Sequence, residues 1–242
     1  MKHVRKTKPP RPLVKWYKSN ANIPDAQYGT HGFPTIAVHE ALLAEQGWIC
    51  AYTMIRVEDS SSHIEHLKPQ TVSRNEGAVA ETADYSNVVA CYPREQVKGA
   101  VPISYGAIYR GSQWDEARFI SPLSASCEAA YKYGVDGSIS PGATALGDPQ
   151  WMITILGLDS GVLVELRLAS IEAFGLSLTA ENPASAREAR DILAAACKPD
   201  RSGRLIPYCM AIKHAAERYL QVLERNANRK KYIRDSKSRR RK

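Results

Sequence analysis

The chain has 242 residues, 44% of them hydrophobic, which suffices for one large domain or two small ones with a buried core. No run of about 18 apolar residues occurs, and the basic N-terminus leads into a proline-rich stretch and not into an apolar signal-peptide segment. Five cysteines without a close Cys-x-x-Cys pair fit neither a disulfide scaffold nor a complete zinc ribbon. We therefore expect a soluble, cytoplasmic protein with buried free thiols and no membrane partner.

The positive charge is concentrated at the two ends of the chain. The net charge is +8, from 33 basic and 25 acidic residues, yet residues 1–18 hold seven Lys/Arg and no acid, and residues 225–242 hold ten Lys/Arg against one acid. The body between them, 19–224, has 16 basic and 24 acidic residues. Basic ends suit phosphate contacts that release counterions without reading base sequence. A disordered, solubilising tail is the alternative.

The first third of the chain predicts an arm, a helix and two strands. Residues 1–34 contain five prolines and little periodicity, so we expect an extended basic arm that wraps on the body or is partly disordered. Residues 35–46 combine good helix formers with spaced apolar side chains and predict the first helix, which stops at Gly47. Residues 48–53 and 63–67 have the composition of strands that could pair as a ribbon.

The middle of the chain predicts extended and irregular structure. Residues 85–91 form an apolar segment, whereas 92–118, with two prolines and three glycines, are irregular. Residues 119–123 and 131–135 have the composition of strands. Asp136-Gly137 follows the second of these, and Asp-Gly between such runs is a strong hairpin signal.

Beyond Asp148 the pattern changes to helices, which we predict at about 149–157, 161–175, 183–197 and 207–226. Asn182-Pro183 would supply the cap and first turn of the third helix. We expect a helical region over 149–226 that packs on the front half and offers a partner surface. A basic tail over 227–242 follows it.

The segment Ser62-His63-Ile64-Glu65-His66 places two imidazoles and a carboxylate within four residues. Phosphodiester hydrolysis needs a base for the attacking water and a cation for the scissile phosphate. Histidine titrates near neutrality, so His66 can take a proton, and a carboxylate oxygen of Glu65 suits Mg²⁺ or Mn²⁺. The alternative is that both histidines are ordinary surface or core residues beside a strand carboxylate.

Several motifs, taken in order, resemble a known family. They are Cys50-Ala51-Tyr52, the run from Ser62 to Pro69, Asp84-Tyr85-Ser86-Asn87 and Phe119-Ile120-Ser121-Pro122-Leu123. Over about residues 35–170 the chain is similar to the HNH endonuclease subunit of Septu and retron-associated antiphage systems. The resemblance implies an α+β fold with a ββα-metal nuclease core over 35–148 and an SMC-like or ABC-type ATPase partner.

The resemblance also implies roles for single residues. Glu65 would bind the catalytic Mg²⁺ or Mn²⁺, with His63 as a further metal contact or a neighbour of the ligands, and His66 would activate water. Asn87 would orient the histidine or brace the loop. Lys68 is a candidate for a phosphate contact, although a surface lysine is the commoner explanation. The other candidates for contacts to nucleic acid, with DNA favoured over RNA, are Arg239, Arg240, Arg241 and Lys242.

The chain departs from this family at two places. Thr53 stands where members have a second cysteine, and Tyr105-Gly106-Ala107 stands where they have Cys-Gly-His, so two zinc thiolates and the last metal ligand are missing. We therefore expect no structural zinc, and a weakly held catalytic metal unless a nearby acid substitutes, the candidates being Glu95, Asp115 and Glu116. An alternative register sets Arg94 and Glu95 at the altered positions.

Three hypotheses follow. The first is a metal-dependent HNH endonuclease in antiphage defence. The second is a catalytically degenerate HNH-fold subunit that binds nucleic acid or assembles a defence complex. The third is an RNA-associated protein whose basic ends, with Tyr232, are the functional part, but it leaves the histidine cluster unexplained.

Overall fold

A computed structural model describes residues 1–96, 98–143 and 147–239. Its helices are α1 (Arg11–Ser19), α2 (Thr35–Glu45), α3 (Gln70–Asn75), α4 (Gly106–Arg110), α5 (Pro149–Ile155), α6 (Gly161–Glu172), α7 (Ala186–Ala195) and α8 (Cys209–Arg239). Strands β1 (His63–His66) and β2 (Val88–Cys91) pair antiparallel, as do β3 (Tyr131–Tyr133) and β4 (Ile139–Pro141). This mixture confirms the α+β class.

The N-terminal segment is only partly the extended arm that its prolines predict. Residues 11–19 form helix α1, so the prediction is wrong there, and α2 is not the first helix. Prolines in a first turn lose no intrahelical hydrogen bond, and their fixed φ is already helical. Leu13 and Trp16, three residues apart, are buried and dock α1 on the core. The helix predicted over 35–46 is confirmed as α2.

Two predicted strands are absent. Residues 48–53 form a turn with a single bridge between Ile49 and Arg56, because Trp48 and Met54 adopt positive φ angles of 60° and 62°, which an extended strand excludes. The partner of β1 is therefore β2, with Glu65 opposite Val89. Residues 119–123 also lack strand structure, and Pro122 has no N–H to donate to a ladder.

The β3–β4 hairpin is confirmed, and Asp136 and Gly137 form its turn. The Asp136 carboxylate accepts hydrogen bonds from the backbone N–H and hydroxyl of Ser138 at 3.1 and 2.6 Å. Gly137 has a φ of +80°, and a Cβ there would lie 2.2 Å from the carbonyl oxygen of Val164 on α6. Only glycine fits this turn against the helix.

The four C-terminal helices are confirmed, with different ends. Helix α7 begins at Ala186 with Ser185 as its cap and Glu188 closing a capping box, so Asn182-Pro183 is not its start. Helix α8 continues to Arg239, so much of the segment predicted as a basic tail is helical. Arg240, Arg241 and Lys242 lie outside the described residues.

One hydrophobic core joins the front half to the helical half. Its buried members include Leu42 of α2, Val89 of β2, Met152 of α5 and Ile212 of α8. The segment before α8 also bonds to the front half, since Tyr208 N–H donates to the Met54 carbonyl at 3.1 Å. Among the described residues, no helix is both long and apolar enough to cross a lipid bilayer.

Candidate functional site

A cleft of about 290 Å³ opens between β1, the start of α3 and helix α4. The chain leaves β1 after His66, and Pro69 precedes the first turn of α3, which closes one wall. Helix α4 forms the opposite wall. Three residues that the sequence predicts for the site line this cleft together: His63, Glu65 and His66.

His66 is held in one orientation by the backbone. Its Nε2 lies 2.9 Å from the Thr82 carbonyl oxygen, which can only accept, so Nε2 carries the proton. The Nδ1 lone pair then lies 3.3 Å from the side-chain amide of Gln70, and the Tyr28 ring packs edge-on at 4.8 Å. Burial lowers the pKa of His66, so the ring is neutral at pH 7. It has the tautomer of a proton acceptor.

Glu65 is engaged on both of its oxygens. Oε1 accepts a hydrogen bond from Arg110, and Oε2 lies 3.5 Å from Nε2 of His63. The other ring nitrogen of His63 donates to the Pro93 carbonyl. Burial lowers the pKa of His63, but the hydrogen bond and negative charge of Glu65, together with the hydrogen bond to the Pro93 carbonyl, outweigh it, and the net shift of the pKa is upward.

The Asn87 side chain forms hydrogen bonds to the loop after β1, and none of these bonds goes to His66. Its Oδ1 accepts from the Lys68 N–H at 2.9 Å, and its Nδ2 donates to the carbonyls of Lys68 and Glu81 at 3.3 and 3.1 Å. Its backbone carbonyl accepts from the Leu67 N–H at 2.8 Å. These are the contacts of a brace for the loop that follows β1.

Lys68 is engaged by two carboxylates. Its Nζ lies 2.6 Å from Glu76 and 2.8 Å from Glu81. A phosphate contact by Lys68 would therefore compete with two ion pairs. Of the C-terminal residues predicted to contact nucleic acid, Arg239 is the last residue of α8.

The altered zinc positions form a packed polar cluster. The thiols of Cys50 and Cys91 are buried and in mutual contact, and Thr53 also bonds to Cys50. Gly106, the first residue of α4, has a φ of +76°, and a Cβ there would lie 3.2 Å from the Tyr92 carbonyl oxygen and 3.5 Å from Thr53. Two thiols and a hydroxyl do not supply a tetrahedral zinc ligand set.

The cleft residues do not fit a catalytic Mg²⁺ or Mn²⁺. These ions prefer several oxygen ligands, and the one carboxylate in the cleft already accepts from Arg110. Ala107 offers no donor, and the possible substitutes Glu95, Asp115 and Glu116 do not line the cleft. Within residues 1–96, 98–143 and 147–239, no cluster of three or more His, Cys, Asp or Glu side chains has a metal-binding arrangement.

A second histidine arrangement behind β1 was not predicted. Nε2 of His39 lies 2.9 Å from the Ser62 hydroxyl, and its Nδ1 lies 3.0 Å from Asp59. The order matches a Ser-His-Asp triad, but Ser62 is only 2% exposed and also donates to the Glu58 carbonyl. Because the Ser62 hydroxyl donates its proton to the Glu58 carbonyl, we assign these contacts to tying α2 to the start of β1.

Arg110 is the cleft residue that sequence reasoning missed. Its side chain reaches Glu65, 45 positions earlier in the chain. An arginine four residues into a short helix carries no local signal of such a contact. Comparison of the sequence with protein-family models gives no match, and comparison with curated proteins gives none either.

Proposed function

We propose that this chain is an HNH-type nuclease subunit of a cytoplasmic antiphage defence system that hydrolyses phosphodiester bonds of nucleic acid, with DNA favoured over RNA. The observation that carries the proposal is the state of His66, whose Nε2–H is fixed on the Thr82 carbonyl while Nδ1 is an acceptor at the cleft. The chain order β1, β2 and α4 is the order of a ββα core, with the short helix α3 inserted between the two strands.

In this scheme His66 removes the proton from the attacking oxygen. The fixed tautomer matters because a ring that flipped would present its N–H and could not accept. Gln70 is the group that the incoming nucleophile displaces from Nδ1, since that contact is long at 3.3 Å. Asn87 keeps the loop after β1 in place, and so fixes where His66 stands relative to the phosphate.

The grip on nucleic acid would come from the basic distal part of α8. Its side chains over 224–229 are exposed, and Lys231 and Tyr232 are exposed as well. Arg225 and Arg229 are four residues apart and lie on one face of the helix, where a phosphate backbone can meet both. Contacts of this kind give affinity without sequence preference.

An ATPase partner would use the apolar surface of the helical half. Val162 and Leu166 on α6 are 48% and 40% exposed, and Leu178 is 48% exposed. Leu178 also lines a cleft of about 310 Å³ between α6, the loop after it and α8. Exposed apolar patches are typical of protein interaction sites.

A catalytically degenerate subunit is the second candidate, and one observation favours it. Glu65, the carboxylate expected to hold the metal, is neutralised by the buried Arg110. Such a protein would keep the fold and the basic helix and would bind nucleic acid without cutting it.

The test is cleavage of plasmid DNA and of RNA by the purified chain, alone and with its ATPase partner, in Mg²⁺, in Mn²⁺ and in EDTA. We expect cutting that His66→Ala abolishes. His214→Ala is the matched control, because His214 is also bonded to backbone, at the Tyr133 N–H, but is only partly buried and lies outside the cleft. Nucleic-acid binding without cutting under every condition would select the degenerate subunit.

A further inference from the structure

Arg110 lines the cleft and is bonded to the end of β1 and the residue after it. Its side chain is 1% exposed. One terminal nitrogen donates to the Leu67 carbonyl at 2.8 Å, and the other donates to the His66 carbonyl at 2.7 Å and to the Glu65 carboxylate. The rings of Tyr52 and Phe119 each lie 5.6 Å from its guanidinium carbon and seal it from solvent.

This guanidinium and a divalent cation would need the same oxygen atoms. A hard cation in the cleft would draw on the carboxylate of Glu65 and on nearby carbonyl oxygens. Oε1 of Glu65 and the carbonyls of His66 and Leu67 are all turned toward Arg110 instead. A metal could bind only after a buried arginine had lost its carboxylate partner, and an unpaired buried charge is strongly unfavourable.

We infer that Arg110 is a built-in replacement for the metal ion: it neutralises Glu65 and ties β1 to α4, so that the cleft assembles without a divalent cation. Arg110 is a positioning residue, because it acts through Glu65 and two backbone carbonyls and is too buried to reach a substrate. The relevance of this site to nucleic acid rests on the proposed function, but the competition between Arg110 and metal does not.

The replacement has a chemical consequence. A guanidinium keeps its charge at any pH the protein experiences, and unlike a metal it has no exchangeable ligand position for water or phosphate. Mn²⁺ would therefore not raise the stability of the folded chain, and EDTA would not lower it.

The experiment measures Mn²⁺ binding by electron paramagnetic resonance and thermal melting with Mn²⁺ or EDTA. The wild-type chain is expected to bind no Mn²⁺ at the cleft and to melt at the same temperature in both solutions. Arg110→Ala is expected to melt at a lower temperature, and Mn²⁺ should restore part of the loss because Glu65 becomes free to bind it. Adding Ala107→His to that variant should strengthen Mn²⁺ binding further.

Arg167→Ala is the matched control. Arg167 is also 1% exposed and donates to two backbone carbonyls, those of Gly137 and Leu158, but it has no contact with the cleft. It should lose stability without gaining a response to Mn²⁺. If Arg110→Ala does not fold, Arg110→Gln provides the same comparison with less loss of packing.

Two outcomes would overturn the inference: Mn²⁺ binding by the wild-type chain that Glu65→Gln removes, or an Arg110→Ala variant that is destabilised but stays indifferent to Mn²⁺. Failure here is separable from failure of the proposed function. Cutting that needs Mg²⁺ would remove the inference and keep the nuclease, whereas no cutting with no Mn²⁺ binding would do the reverse.

Discussion

Replacing Asn87 by alanine tests whether this side chain braces the loop after β1. The change removes one hydrogen bond of 2.9 Å to the Lys68 N–H and two weaker ones, of 3.1 and 3.3 Å, to backbone carbonyls. Each contributes about 0.5–1.5 kcal/mol, and a buried donor left without a partner costs about 1–3 kcal/mol. Because Asn87 is half-buried and water reaches part of the loop, we expect a loss of about 2–3 kcal/mol in the free energy of unfolding.

The loss is measured by urea unfolding, and the melting temperature should fall by roughly 5–10 °C for a chain of this size. Asn87→Asp is the informative companion. It keeps the acceptor for the Lys68 N–H but places carboxylate oxygen against two carbonyls, so it should be no more stable than Asn87→Ala. A cost below about 0.5 kcal/mol for Asn87→Ala, the range of ordinary surface substitutions, would refute the assignment as a brace.

Two further predictions concern stability. Gly137→Ala should lower the free energy of unfolding in urea by more than about 3 kcal/mol, because at a φ of +80° the new Cβ would lie 2.2 Å from a carbonyl oxygen of α6. Gly203→Ala is the control: it has a φ of +78° but open space around it, so it should lose only about 1 kcal/mol. Equal losses would contradict the close contact of Gly137 with α6. Stability should also fall as the pH is lowered from 7.5 to 5.5. Burial lowers the pKa of three histidines in the folded state, namely His39, His66 and His214. Below about pH 6.5 the unfolded chain therefore binds more protons than the folded chain. The stability that is present above that pH is lost as the pH falls through the pKa values of these histidines in the folded state. The upward shift of His63 opposes this trend, so a urea midpoint that rises at pH 5.5 would mean that His63 outweighs the other three.

Local patterns predicted the elements whose structure is decided locally. Helix α2, the β3–β4 hairpin and the helices from α5 onward follow from spaced apolar residues, caps and an Asp-Gly turn. The strand predicted over 48–53 is absent because contacts with residues outside the segment set its backbone conformation. The Gln46 side chain donates to the carbonyls of Ile49 and Ala90, and so holds the turn against β2. Composition within the segment carries no trace of that contact.

The same division applies to the candidate site. His63, Glu65 and His66 are close in sequence, so their shared cleft could be predicted from one motif. The state of each side chain could not, because it depends on distant partners: the Thr82 carbonyl sets the tautomer of His66, and Arg110 takes the carboxylate of Glu65. The sequence indicates that a metal ligand is missing at Ala107, but it does not indicate that the guanidinium of Arg110, three positions later, pairs with Glu65 instead.

Helix α8 has a mechanical consequence. At about 1.5 Å per residue, its 31 residues span roughly 46 Å. Its start is buried beside the front half, and its side chains over 224–229 are exposed. A rigid rod of this kind acts as a lever, so a load on its far end tilts the end that is anchored. The anchor lies next to Tyr208, whose N–H donates to the Met54 carbonyl in the front half. Binding of a polyanion along the exposed part of the helix would then be linked to the position of Met54 through α8 and this hydrogen bond.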